Sequence, residues 1–175
     1  GREEVEQVFL KTAGATADFF IEHTAADGIP YWDTGAPGLS RMAGWRERMA
    51  QVDNPHEPVD SSAAVIAAQG LLRLGRYLDR DGPGRHYYQA GLTVARTVLS
   101  PPYLSEDPEH HGLILHSVYH RPNGWDYVPP GKQVPQGESS QWGDYHAMEL
   151  GVYLQREAGG GPYLTFFAEP DLYRN

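Results

Sequence analysis

The stretch Glu57-Pro58-Val59-Asp60-Ser61-Ser62-Ala63-Ala64-Val65-Ile66-Ala67-Ala68 most narrows what this chain can fold into. Pro58 resists a helix interior, and Asp60 or Ser61 can cap a helix start. The Ala, Val, Ile and Leu that follow return at helical spacing, so a helix is predicted from Asp60 to about Tyr77. A carboxylate at such a start sits at the end of a rigid element and faces whatever lies beyond it. It is either a cap or a piece of active-site chemistry.

Other segments carry the same helical signature. Val5, Val8, Phe9, Thr12, Ala13, Thr16, Phe19 and Phe20 recur at intervals of three and four, which predicts a core-facing helix over residues 5–22 that ends before Gly28-Ile29-Pro30. An aromatic, turn-rich loop follows at Tyr31-Trp32-Asp33-Thr34-Gly35-Ala36-Pro37, then a short surface helix within Met42–Ala50. Asp79-Arg80-Asp81-Gly82-Pro83-Gly84 is a strong turn leading to a third helix from Arg85 to about Leu99, closed by Pro101 and Pro102. Leu113 to His120 favours extended structure. Ser139 or Ser140 can cap a fourth helix carrying Met148, Leu150, Val152 and Leu154, stopped by Gly159-Gly160-Gly161-Pro162. Long helices alternating with loops rich in aromatic, His and acidic residues suggest an all-α architecture of antiparallel hairpins arranged as a toroid, its loops gathered at one mouth.

Composition sets the outer limits. A chain of 175 residues with 40% apolar content is long enough for one cored domain and short for two. The formal net charge of -9 argues against nucleic acid and anionic membrane as partners, and no apolar run approaches the ~20 residues of a membrane span. Without cysteine there is no disulfide, thiolate metal site or thiol nucleophile. The N-terminal Arg2-Glu3-Glu4 leads into an amphipathic pattern and not into the apolar core of a signal peptide.

The segments Ile29-Pro30-Tyr31-Trp32-Asp33, Asp60-Ser61-Ser62-Ala63-Ala64, Gly112-Leu113-Ile114-Leu115-His116 and Gln141-Trp142-Gly143-Asp144-Tyr145, in this order with long helices between them, resemble the C-terminal half of glycoside hydrolase family 88. These are the unsaturated glucuronyl hydrolases, and the resemblance covers roughly residues 1–168. It implies the C-terminal part of an (α/α)6 barrel, and no cofactor is expected. An incomplete barrel would leave apolar surface exposed along one side, open to self-association, and the chain is expected to be a fragment of a longer one.

The resemblance also implies a chemistry. The substrates are oligosaccharides carrying a 4,5-unsaturated uronic acid at the non-reducing end. An aspartate protonates C4 of the vinyl ether and helps water add at C5, after which the hemiketal opens and the reducing-side sugar leaves. By resemblance that aspartate is Asp60, with His116 and Trp142 near the sugar. The family's partner aspartate belongs to the first half of the barrel, which has no matching segment here.

Physical chemistry sets a condition on this role. A proton donor near neutral pH needs a pKa above the ~4 of a free carboxyl, whereas a helix N-terminus favours the carboxylate. Catalysis by Asp60 therefore asks that Ser61 or Ser62 serve the backbone, that an aromatic wall such as Trp142 or Trp32 desolvate the acid, and that a second carboxylate lie near. Arg121, with Arg41, Arg46 and Arg48, is a loop cation available to an anionic substrate, or else a surface ion-pair partner. His110, His111, His116 and His120 invite a metal reading, yet no third ligand is convincingly spaced. Other readings stay open: a non-catalytic sugar-binding or scaffold fragment, or another toroid enzyme such as an epimerase or a lyase.

Overall fold

Pro58, the Asp60 cap and the apolar repeat behind them produce the helix expected there, and three more helices form around it. The computed structural model describes residues 1–161, with α1 at Arg2–Glu22, α2 at Ser61–Tyr77, α3 at Arg85–Val98 and α4 at Gln141–Ala158. Short 3₁₀ turns occupy Pro37–Arg41, Trp45–Glu47 and Arg121–Asn123. Pro162 and the rest of the resemblance up to 168 lie outside the described residues.

Helix α2 is the central element, packed most extensively on α3, then on α4, and lightly on α1. Its buried stripe runs through Ala64, Val65, Ala68, Leu71 and Leu72, which meet Val94, Val98 and Leu150 in the core. Two glycines let α2 and α3 approach closely. A Cβ on Gly75 would stand 2.5 Å from the Tyr88 amide nitrogen, and one on Gly91 would stand 2.9 Å from that of Leu72. The hairpin between them turns at Asp79, whose positive φ of 69° is tolerated by a short polar side chain.

Helix α1 departs from expectation. None of its residues is buried, and Val8 and Phe9 are 65% and 70% exposed. Only Ala17, Phe20 and Ile21, near its C-terminal end, pack against the core. Periodicity assigns an apolar face to a helix but does not say what covers it. Here α2 meets that face only lightly, so most of it stays outside.

Two smaller expectations also change. The surface helix within 42–50 shrinks to the turn Trp45–Glu47, because Gly44 before it is left-handed and Arg48 after it is extended. The run 113–120 is extended but joins no sheet: an isolated bridge pairs Leu104 with Ile114, and His116 is left-handed with φ 67°, which breaks the two-residue alternation a strand needs. Its amides go instead to separate loop carbonyls, Leu115 to Tyr103 and Ser117 to Glu138. Among the described residues no helix is long and apolar enough to cross a membrane.

Candidate active site

Asp60 is held before α2 by a short pairing with the loop after α1. Its amide donates to the Pro30 carbonyl at 2.9 Å, Trp32 donates to Pro58 at 3.0 Å, and Tyr31 and Val59 form an antiparallel bridge. The extended backbone at Asp60 turns its carboxyl over the helix end, where Oδ1 accepts from the Ser62 amide at 3.0 Å and the Ala63 amide at 3.3 Å. Two further donors reach the same oxygen, the Ser62 hydroxyl at 2.6 Å and the Val118 amide at 3.4 Å. All four bonds fall on Oδ1, and Oδ2 has no partner among the described residues. One carboxyl oxygen thus serves the cap while the other takes no part in it.

The electrostatics favour a protonated acid more than capping alone would. Burial is the largest influence and pushes the Asp60 pKa above 3.8, outweighing the Ser62 hydroxyl and the three backbone amides that pull it down. No second acid is among the causes.

His116 joins from the loop before α4. Its carbonyl accepts from the Ser61 amide at 3.0 Å, and its Nδ1 accepts from the Gly137 amide at 3.1 Å. An amide can only donate, so in the neutral ring the proton sits on Nε2. Burial holds the His116 pKa below 6.5, against a smaller opposing pull from Asp53, and the neutral form is favoured. Its left-handed backbone costs on the order of 1–3 kcal/mol in a non-glycine residue, a strain of the kind that collects at functional sites.

Trp142 arrives from the first turn of α4, which Ser140 caps through the Gly143 amide at 3.1 Å. Its indole Nε1 donates to the Ser62 hydroxyl at 3.1 Å, and that hydroxyl donates in turn to Asp60. The approach depends on Gly143, where a Cβ would stand 2.8 Å from the hydroxyls of both Ser117 and Ser140. The Trp142 ring also faces Tyr119, centroid to centroid at 5.1 Å.

Asp60, His116 and Trp142 are therefore joined in one hydrogen-bonded group through Ser61 and Ser62. The other two candidates stand apart from it. The Trp32 indole donates to Glu57 at 2.7 Å, and the second Glu57 oxygen takes the Gly38 amide, so Trp32 braces the loop beside Asp60 without bonding to the acid. Arg121 lies on the 3₁₀ turn after His120, and its side chain has no hydrogen bond or ion pair with the described residues. His110 pairs with Ser139 and His120 accepts from the Asn123 amide, both within loops. Among the described residues no three His, Asp or Glu are grouped to hold a metal ion.

Sequence reasoning expected Ser61 or Ser62 to serve the backbone, which Asp60 does instead, and it did not single out the Val118 amide or Tyr119. The Ser62 side chain serves Asp60 and Trp142 and not the backbone, the Val118 amide reaches Asp60 from a remote loop, and Tyr119 covers Trp142. The position of Tyr119 three residues after His116 was the available signal.

No protein-family model matches the chain. The unsaturated glucuronyl hydrolase of Bacillus sp. strain GL1 is 28% identical over 152 residues, which are 86% of this chain and 34% of that one. The crystal structure of the Bacillus sp. GL1 enzyme superposes with a TM-score of 0.62, at 29% identity, over 85% of this chain and 33% of the other. The unsaturated chondroitin disaccharide hydrolase of Streptococcus agalactiae is 26% identical over 80% of this chain and 29% of its own. The all-helical fold corresponds to part of the (α/α)6 barrel of these hydrolases. The chain spans about a third of the length of the curated relatives it matches, and over that span it is a relative of the unsaturated glucuronyl hydrolases.

Proposed function

We propose that this chain carries the proton-donating side of a site that cleaves unsaturated uronyl oligosaccharides by hydration. One observation carries the proposal: Asp60 caps α2 through Oδ1 alone, while burial keeps its acid form available to act through Oδ2. The protonated acid gives its proton to C4 of the unsaturated ring, and positive charge develops at C5 beside the ring oxygen. The carboxylate then takes a proton from water as its oxygen bonds to C5. The hemiketal opens, the reducing-side sugar leaves, and Asp60 is protonated again for the next cycle. Ser62 and Trp142 position the acid. Neutral His116 carries its proton on Nε2 and can donate it to a sugar oxygen.

Known relatives support a carbohydrate substrate of this class, since their names specify unsaturated glucuronyl and chondroitin disaccharide hydrolases. The chain is taken here as part of a larger helical toroid, and the exposed apolar face of α1, with Val5, Val8, Phe9 and Phe19, supports that placement.

The test compares two disaccharides with the full-length protein. An unsaturated uronyl disaccharide should be cleaved with loss of its ultraviolet absorbance, and the saturated disaccharide of the same linkage should be left intact. Cleavage of both at similar rates would mean displacement at the anomeric carbon. Cleavage of neither would remove the hydrolase activity.

A further inference from the structure

Tyr103 is 2% exposed, and its hydroxyl has no hydrogen-bond partner among the described residues. A buried polar group left unmatched is costly, and the few that persist call for a reason. The hydroxyl itself supplies none. Burial is the largest influence holding its pKa above the ordinary phenol value of 10.0, and Asp27 and Tyr31 add to it, so the phenol stays protonated near neutral pH. Nor does Asp27 bond to it, since the Asp27 oxygens accept from the Ile29 amide at 3.3 Å and the Ala50 amide at 3.2 Å. What this residue contributes is its ring and its backbone.

Both reach the segment that carries His116. Just past α3, the Tyr103 carbonyl accepts the Leu115 amide at 2.6 Å, Leu104 bridges Ile114, and the Leu113 carbonyl accepts the Ser105 amide at 2.9 Å. The Tyr103 backbone thus fixes the residue before His116, while its ring meets the His116 ring edge to face, 5.8 Å between centroids at 77°. Aromatic pairs at this spacing favour such an orientation. His116 calls for restraint on two counts. Its left-handed backbone, φ 67°, persists only where the surroundings over-determine it. Its ring is tied at one atom, Nδ1 to the Gly137 amide at 3.1 Å, and a single hydrogen bond leaves a ring free to tilt about it. The Tyr103 ring removes that freedom.

Resting on the hydrolase assignment above, we infer that Tyr103 is a positioning residue, whose ring holds the His116 imidazole in the plane that aims Nε2–H at the sugar. The ring is essential to this hold and the hydroxyl is not. Tyr103 also closes one side of His116 to water. Burial keeps that imidazole neutral, Asp53 from the loop ahead of α2 pulls the other way, and Asp60 at the start of α2 adjoins it across the Ser61 amide. Opening the Tyr103 side would let the ring both turn and charge. A charged ring has no lone pair on Nδ1 with which to accept from Gly137.

The experiment follows the His116 ring by nitrogen-15 NMR in the full-length protein, its signals identified by their loss in His116→Gln. In the parent, nuclear Overhauser contacts should join the Tyr103 and His116 rings, and the proton should stay on Nε2. Tyr103→Met keeps apolar bulk without a ring. There both tautomers should appear, and the titration of His116 should move up toward 6.5. Its kcat/KM for an unsaturated uronyl disaccharide should fall by about tenfold to a hundredfold, as for a misplacement of about 1 Å. Tyr103→Phe should restore the parent tautomer, titration and turnover. Absence of the Overhauser contacts in the parent, a folded Tyr103→Met protein with His116 unmoved, or a Tyr103→Phe protein as disturbed as Tyr103→Met would overturn the inference. The contacts are read in the parent and the hydroxyl is tested by Tyr103→Phe, so the inference can fail even where Tyr103→Met does not fold. A His116 released by Tyr103→Met in a protein whose parent fails to cleave the disaccharide would leave the hold standing without the hydrolase. Turnover with His116 unmoved by Tyr103→Met would do the reverse.

Discussion

Ser62→Ala removes one oxygen that serves two partners, and its cost should depend on pH. The hydroxyl is buried, donates to Asp60 at 2.6 Å and accepts from Trp142 at 3.1 Å. A hydrogen bond to a charged acceptor contributes about 1.5–3 kcal/mol, whereas one between neutral groups contributes about 0.5–1.5 kcal/mol. Asp60 Oδ1 keeps three backbone donors in the variant, and the half-exposed Trp142 indole can turn to water, so neither partner is orphaned. Toward higher pH, where Asp60 becomes ionised, the loss should approach about 1.5–3 kcal/mol; toward lower pH, where it becomes protonated, it should fall to about 0.5–1.5 kcal/mol.

Linkage gives the same sign. The folded pKa of Asp60 lies above its unfolded value near 3.8, so the stability its protonated form contributes is complete below that value and is lost as pH rises through the folded pKa. The Ser62 bond pulls that folded pKa down. Removing it raises the pKa further and extends the decline to higher pH, which enlarges the difference between variant and parent in that direction. Urea unfolding of both proteins from pH 4 to pH 8 measures this. A difference that stays constant, or one larger in acid than at neutral pH, would refute the reasoning.

Trp142→Phe keeps the ring and deletes the N–H, so it should cost about 0.5–1.5 kcal/mol on its own and add little when combined with Ser62→Ala, because both remove the same bond; a double-mutant cycle by urea unfolding checks this. Gly75→Ala puts a methyl 2.5 Å from the Tyr88 backbone nitrogen and should destabilise by about 3 kcal/mol, the upper end for overpacking, because the obstacle is main chain and cannot rotate away. Thermal unfolding reads that loss.

The helices were legible because their ends are written in local chemistry. Pro58 and Asp60 start α2, Ser140 starts α4, and Gly159 follows its last residue. The site was legible in part. Asp60, His116 and Trp142 stand in motifs that resemble a known family, but the connections between them run through Ser62 and the Val118 amide. Nothing local marks a serine hydroxyl as bridging two segments eighty positions apart in the chain. Periodicity alone did not show the exposure of α1, because an apolar stripe such as Val5, Val8 and Phe9 announces that it can be covered, not that the cover is at hand; the incomplete barrel implied by the resemblance is what anticipated open apolar surface. The left-handed His116 was hidden because nothing in a β-favouring run signals a single residue at positive φ, where its carbonyl and ring meet the Ser61 and Gly137 amides.

The central claim is that Asp60 does chemistry through an oxygen the cap does not use. Turnover of an unsaturated uronyl disaccharide by full-length Asp60→Asn tests it most directly, with thermal unfolding of the same sample as the control. An Asn oxygen can take over the cap held by Oδ1, since Asn caps about as well as Asp, but its amide cannot protonate C4. Loss of turnover with an unfolding midpoint close to that of the parent is the predicted result. Asp60→Ala, which lacks both oxygens, should lose turnover and on the order of 1 kcal/mol of stability as well. An Asp60→Asn protein that consumes the substrate at a rate near that of the parent would contradict the account.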